Sequence, residues 1–191
     1  MRRTARQMPL DLFVCLSLSL AAAAGAQPAS PLSGPPLSEM EAVQKACDGA
    51  IRGYSLDAPI DHILPTHGIY VEGYGAVFVT DVNLVSLPPL FGFGGIAPAE
   101  YKRIHDSKVK RLPEVRTLMI QMILGASKTL VHLTPDESIL IQVNYYYMQR
   151  EDRTGLPKSI SVQGKKKDLL EAVERKTPAE AVSGILKIRV E

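Results

Sequence analysis

Gly73-Tyr74-Gly75-Ala76-Val77-Phe78-Val79-Thr80-Asp81-Val82-Asn83-Leu84 is the strongest β signal in the chain. β-branched and aromatic residues dominate it, and strict alternation follows the glycines. Ala76, Phe78, Thr80, Val82 and Leu84 fall on one face; Val77, Val79, Asp81 and Asn83 fall on the other. The second face begins apolar and ends polar, which predicts a strand covered at one end and open at the other. His67-Gly68-Ile69-Tyr70-Val71-Glu72 precedes it. Ile69–Val71 and Tyr74–Leu84 form either a tight hairpin or one strand bent at Gly73 and Gly75, because interior glycines mark bulges and close backbone approaches. An apolar, Gly- and Pro-rich segment follows: Leu87-Pro88-Pro89-Leu90-Phe91-Gly92-Phe93-Gly94-Gly95-Ile96. It either tucks in as a lid on the core or exposes apolar area as a contact site. On the second reading Leu90, Phe91, Phe93 and Ile96 are the binding residues.

The N-terminus has the three parts of a secretory signal. Arg2, Arg3 and Arg6 precede an apolar run from Leu12 to Ala23, and Ala24-Gly25-Ala26 supplies small residues for cleavage. The run is too short to span a bilayer as a helix. The expected organisation is a signal peptide over 1–26, a Pro-rich linker over 27–37 and one α+β domain over 38–191. The chain would then be exported, periplasmic or extracellular, with no transmembrane segment after cleavage near Ala26.

Cleavage changes the charge. The 191-residue chain has 22 Lys and Arg against 20 Asp and Glu; losing Arg2, Arg3, Arg6 and Asp11 leaves 19 of each. A neutral chain argues against nucleic acid, whose recognition needs excess positive charge. Cys15 would leave with the signal, and Cys47 alone forms no internal disulfide.

Ser38-Glu39-Met40-Glu41 has capping-box form, and Met40, Val43, Cys47 and Ile51 follow at helical spacing, with Gly53 as the stop. Cys47 on that stripe reads as a small buried apolar residue. Ser55 to Thr66 reads as irregular. Val115, Leu118, Met119, Met122, Ile123, Ala126 and Leu130 define a core helix over about 113–131. The charged stretch 98–111 reads as an extension broken or kinked at Pro113. Ser138 to Met148 alternates as a second strand, and Pro157 to Gln163 returns after a polar loop. Lys165 to Lys176 is helical, its lysines solvated, and Thr177-Pro178-Ala179-Glu180 is a second capping box, with Pro at its first helical position, opening a short helical turn. Leu186, Ile188 and Val190 alternate as a last strand.

Taking 69–84 as one strand, the order after the first helix is βαββαβ, the ferredoxin-like order. It predicts a four- to five-stranded, mostly antiparallel sheet with helices on one face. Gly73 to Phe78, with Asp81-Val82-Asn83-Leu84 and Leu133-Thr134-Pro135-Asp136-Glu137, resembles a group of exported bacterial proteins of unknown function, over most of the chain after the signal. The resemblance brings no catalytic residues.

The chemistry-bearing residues are sparse. His62, His67, His105 and His132 lack zinc spacing, and no metal or cofactor is expected; Asp57, Asp61, His62 and His67 read as polar turn residues. No Gly-x-Ser-x-Gly elbow is present. Tyr145-Tyr146-Tyr147 fits a sheet edge with hydroxyls in water. The leading expectation is a non-enzymatic interaction domain that meets an envelope protein through the 87–96 segment or a sheet edge. The alternative is a small periplasmic hydrolase with His67, Asp81 and Glu137 as candidate catalytic residues.

Overall fold

The computed structural model describes residues 34–55, 59–86 and 97–191. The expected signal peptide over 1–26, most of the expected linker and the apolar segment 87–96, with Leu90, Phe91, Phe93 and Ile96, lie outside the described residues, as does Asp57.

In chain order the elements are α1 (Leu37–Arg52), β1 (Asp61–Val71), β2 (Gly75–Asn83), α2 (Pro98–Thr129), β3 (Ser138–Tyr145), β4 (Ser159–Lys165), α3 (Lys166–Glu174), α4 (Ala179–Val182) and β5 (Lys187–Val190). The class is α+β, as expected. The five strands lie in sequence order, β1-β2-β3-β4-β5, and every pair is antiparallel except β2–β3. This replaces the ferredoxin-like arrangement. The glycine-rich stretch is a hairpin, not a single bent strand. Gly73 takes φ 76° in its turn, which only glycine adopts without strain, and Tyr74 N–H donates to Val71 O at 3.0 Å. The strand before the turn also begins earlier than the sequence suggests, at Asp61. The extra strand moves each later element one place along the sheet. β2 and β3 then run parallel, joined by the α2 crossover that a parallel pair needs.

The alternation in β2 holds. Ala76, Phe78, Thr80 and Val82 are buried beside Ile139, Ile141, Val143 and Tyr145 of β3 and Ile160 and Val162 of β4. This face packs on Met40, Val43, Cys47 and Ile51 of α1, Val115, Met119, Met122 and Ile123 of α2, and Leu169 of α3. Each large side chain so buried contributes roughly 1.5–3 kcal/mol.

Three local expectations change. The capping box does not form: α1 starts at Leu37 with Pro36 in the cap position, and no side chain caps it. Likewise α4 begins behind Pro178 without a side-chain cap. Helix α2 runs unbroken for 32 residues through Pro113. The proline removes the N–H that would serve the Val109 carbonyl, and Val109 is 41% exposed, so the loss falls on the wet side. Ile104 and Lys108 are buried, and Lys108 reaches Tyr146 and Glu151, so one side of 98–111 packs against the chain after β3 and the segment is not a projecting extension.

Gly75 marks the tightest approach in the sheet. Its φ is 127°, and a Cβ there would overlap the Ser138 backbone. Gly73 faces open space. Gly75→Ala should therefore cost well over 2 kcal/mol, and Gly73→Ala about 1–2 kcal/mol. Urea denaturation of the two variants checks this ranking.

Candidate functional site

The helices cover one face of the sheet. On the other, Val77, Val79 and Asp81 of β2, Leu140, Gln142 and Asn144 of β3, and Ser161 and Gln163 of β4 are only half-buried. Register sets this face in rows: Ile69 beside Val77, Val77 beside Leu140, Leu140 beside Gln163; then His67, Val79, Gln142 and Ser161. The β1–β3 side is therefore apolar. Toward the carboxyl ends of β2 and β3 it turns polar. There Gln142 Nε2 donates to Asn144 Oδ1 at 2.8 Å, and Asn144 Nδ2 donates to Asp81 Oδ1 at 2.7 Å. Lys187 and Arg189 add positive charge at the β5 side.

Among the described residues β1 forms one edge of the sheet, and its two halves differ. From Asp61 to Thr66 it is irregular. The register with β2 shifts twice, Pro65 has no N–H, and Thr66 N–H donates to Asp48 Oδ1 of α1 at 2.8 Å. His62 Nε2 lies 3.3 Å from the same Asp48 oxygen and 3.0 Å from Thr80 Oγ1. Acid, imidazole and hydroxyl thus meet, but carboxylate and hydroxyl share one ring nitrogen. A nucleophilic relay needs them on opposite nitrogens. The group instead fastens α1 to the irregular half of β1. From His67 to Val71 the pairing is regular, and Ile69 and Val71 are 49% and 43% exposed.

The candidate catalytic residues do not converge. His67 and Asp81 lie on the open face, with Asp81 bound to Asn144. Glu137 lies toward the helix layer. It accepts from Tyr70 OH at 2.7 Å and Thr134 N–H at 2.8 Å, and Tyr70 alternates to the face opposite His67. No hydrogen bond or ion pair joins these three among the described residues. Burial pushes the Glu137 carboxyl up, but the Tyr70 and Thr134 donors and the Lys166 charge outweigh it and hold the group below the ordinary value. The same bond, with burial and the Glu72 charge, raises the Tyr70 hydroxyl to about 12. Burial, then the Asp48 charge, pushes the Cys47 thiol up to about 12, in keeping with a packing role.

Two ionic groups give no signal in the sequence. Lys108, 0% exposed, places Nζ 2.7 Å and 2.9 Å from the Glu151 carboxylate oxygens, donates to Tyr146 O at 3.2 Å and sits 4.8 Å over the Tyr147 ring. Burial lowers the Lys108 pKa, and the Glu151 bond opposes it. The loop 149–155, polar in sequence, is thereby bound to α2. The tyrosine run also differs from expectation. Tyr145 enters the core, its hydroxyl unpartnered among the described residues; Tyr147 donates to Pro157 O at 2.5 Å; only Tyr146 is exposed. Lys166, expected in solvent, is buried and donates to Val131 O at 2.9 Å and Leu133 O at 2.5 Å, in the turn that follows α2. A charge on a helix invites a solvated reading; burial follows only from partners more than 30 residues away.

No protein-family model, curated protein or solved structure matches this chain. Among the described residues, no helix is long and apolar enough to cross a membrane, and no group of three or more His, Cys, Asp or Glu side chains is placed to hold a metal ion.

Removing one member of a buried ion pair strands the other. Lys108→Met or Glu151→Leu alone should cost about 3–5 kcal/mol, and the double variant should recover most of the loss. A double-mutant cycle by urea denaturation measures this. The Tyr70–Glu137 bond gives a pH signature. The folded carboxyl is held below its unfolded value, so its contribution is present above the unfolded pKa and lost as pH falls through the folded one. Tyr70→Phe should lower the urea midpoint at neutral pH, with the difference from the parent shrinking near pH 3.

Proposed function

We propose that the chain is an exported, non-enzymatic interaction domain of the cell envelope that binds through the β1 edge of its sheet. The observation that carries this reading is the regular half of β1. From His67 to Val71 an edge strand carries no Lys, Arg, Asp, Glu or Pro, and it exposes Ile69 and Val71. Proteins ordinarily blunt such edges with charge, proline or bulges. Here those devices stop at Thr66. An added strand would gain main-chain hydrogen bonds along this edge and cover the two apolar side chains. The half-buried Val77, Val79 and Leu140 extend the apolar surface inward.

Export rests on the signal-like residues 1–26, and the Pro-rich 27–37 stretch would serve as a tether. The segment 87–96 is a second candidate contact, for the apolar residues it carries. The hydrolase alternative has less support, because His67 and Asp81 belong to one face of the sheet while Glu137 is held by Tyr70 toward the other.

A photo-crosslinking side chain at Ile69, with a control at the exposed Lys128 of α2, tests the edge. Irradiation of intact cells should give an envelope-fraction adduct at position 69 and none at 128. Absence of an adduct at 69, or equal adducts at both positions, would overturn the reading.

A further inference from the structure

We infer that the partner of the β1 edge is a second copy of this chain, its own β1 added antiparallel across a two-fold axis at Ile69. The inference rests on the edge-binding reading and assigns its partner. Three observations carry it.

The first is where the edge is blocked. Two register shifts, Pro65 and the Thr66–Asp48 hydrogen bond occupy β1 up to Thr66, so an incoming strand is confined to His67–Val71 and its surroundings. A two-fold axis at the middle of that segment uses the same open register on both copies.

The second is what the two-fold axis places together. With Ile69 opposite Ile69 of the other copy, His67 stands opposite Val71 and Glu72 opposite Thr66. No formally charged residue of one β1 meets a like charge of the other. Ile69 and Val71 of both copies then share one face with Val77, Val79 and Leu140, and an apolar stripe crosses the join.

The third is the helix above the strand. α1 runs opposite to β1: Asp48 reaches Thr66, and the Gln44 amide lies over Gly68, where a Cβ would meet it. Glu41 and Lys45 lie either side of Gln44, both exposed and one turn apart. The same axis brings Glu41 of one copy toward Lys45 of the other, and the reverse pair with it. An unrelated extended peptide has no reason to offer this reciprocal pair; a second copy supplies it by symmetry.

Sedimentation equilibrium of the full chain, from low micromolar to sub-millimolar, tests the assignment. The parent should fit a monomer–dimer equilibrium. Ile69→Lys, which sets two ammonium groups together at the axis, should weaken association roughly tenfold or more, with circular dichroism and thermal midpoint retained. Glu41→Lys alone should weaken it about fivefold, and Glu41→Lys with Lys45→Glu should restore it. A parent that stays monomeric throughout, an Ile69→Lys dimer of parental strength, or a charge swap that fails to restore association would each overturn the inference. A monomeric parent whose Ile69 still crosslinks to an envelope protein of different mass leaves the edge reading standing and removes the second copy; no adduct at all removes both.

Discussion

The parallel pairing of β2 with β3 is the constraint on which the rest of the structure depends. Parallel neighbours cannot be joined by a tight turn; the chain must leave the sheet, cross it and return. α2 makes that crossing, and its apolar stripe from Val115 to Ala126 must be buried when it does. The helix therefore lies on one face, with α1 and α3 beside it. The same crossover holds β2 and β3 at the centre, their hairpin partners outward on each side, and leaves β1 and β5 as edges.

Position in that arrangement decides what each polar group does. Lys108 and Glu151, distant in sequence, are forced together where α2 passes the loop after β3. Their pairing answers the cost of burying both charges. Lys166 is drawn under the turn that follows α2 and donates to the Val131 and Leu133 carbonyls there. Asp48 and His62 hold α1 on the irregular half of β1. These groups are fully used in support. On the other half of β1 Ile69 and Val71 stay exposed, which is why the proposed contact is placed there and not on a cluster of ionisable groups.

Much of the fold was legible because period and burial agree. The Met40, Val43, Cys47 and Ile51 stripe, the alternation in β2 and β3, and the apolar face of α2 each repeat at the spacing of their element, and each is buried as the spacing requires. The start of β1 was not legible. Pro65 and the register shifts break the alternation, and its apolar residues Ile63 and Leu64 are exposed on an edge, where no packing enforces a pattern. The capping boxes misled for a related reason. Ser38 and Thr177 offer local bonds, yet the prolines at 36 and 178 set the entry to each helix, and neither helix takes a side-chain cap.

The sequence by itself determined the α+β class, the faces of the two central strands and the helical stripes, since periodicity is local and a one-residue change of phase would expose the whole apolar set. It also determined that His67–Val71 carries no Lys, Arg, Asp, Glu or Pro. Only the tertiary structure decided that this stretch is an edge, that the glycines make a hairpin, and that Lys108, Lys166 and Tyr145 lie inside. Those outcomes depend on which strand lies beside which, and strand order is set by long-range pairing that no window of sequence contains.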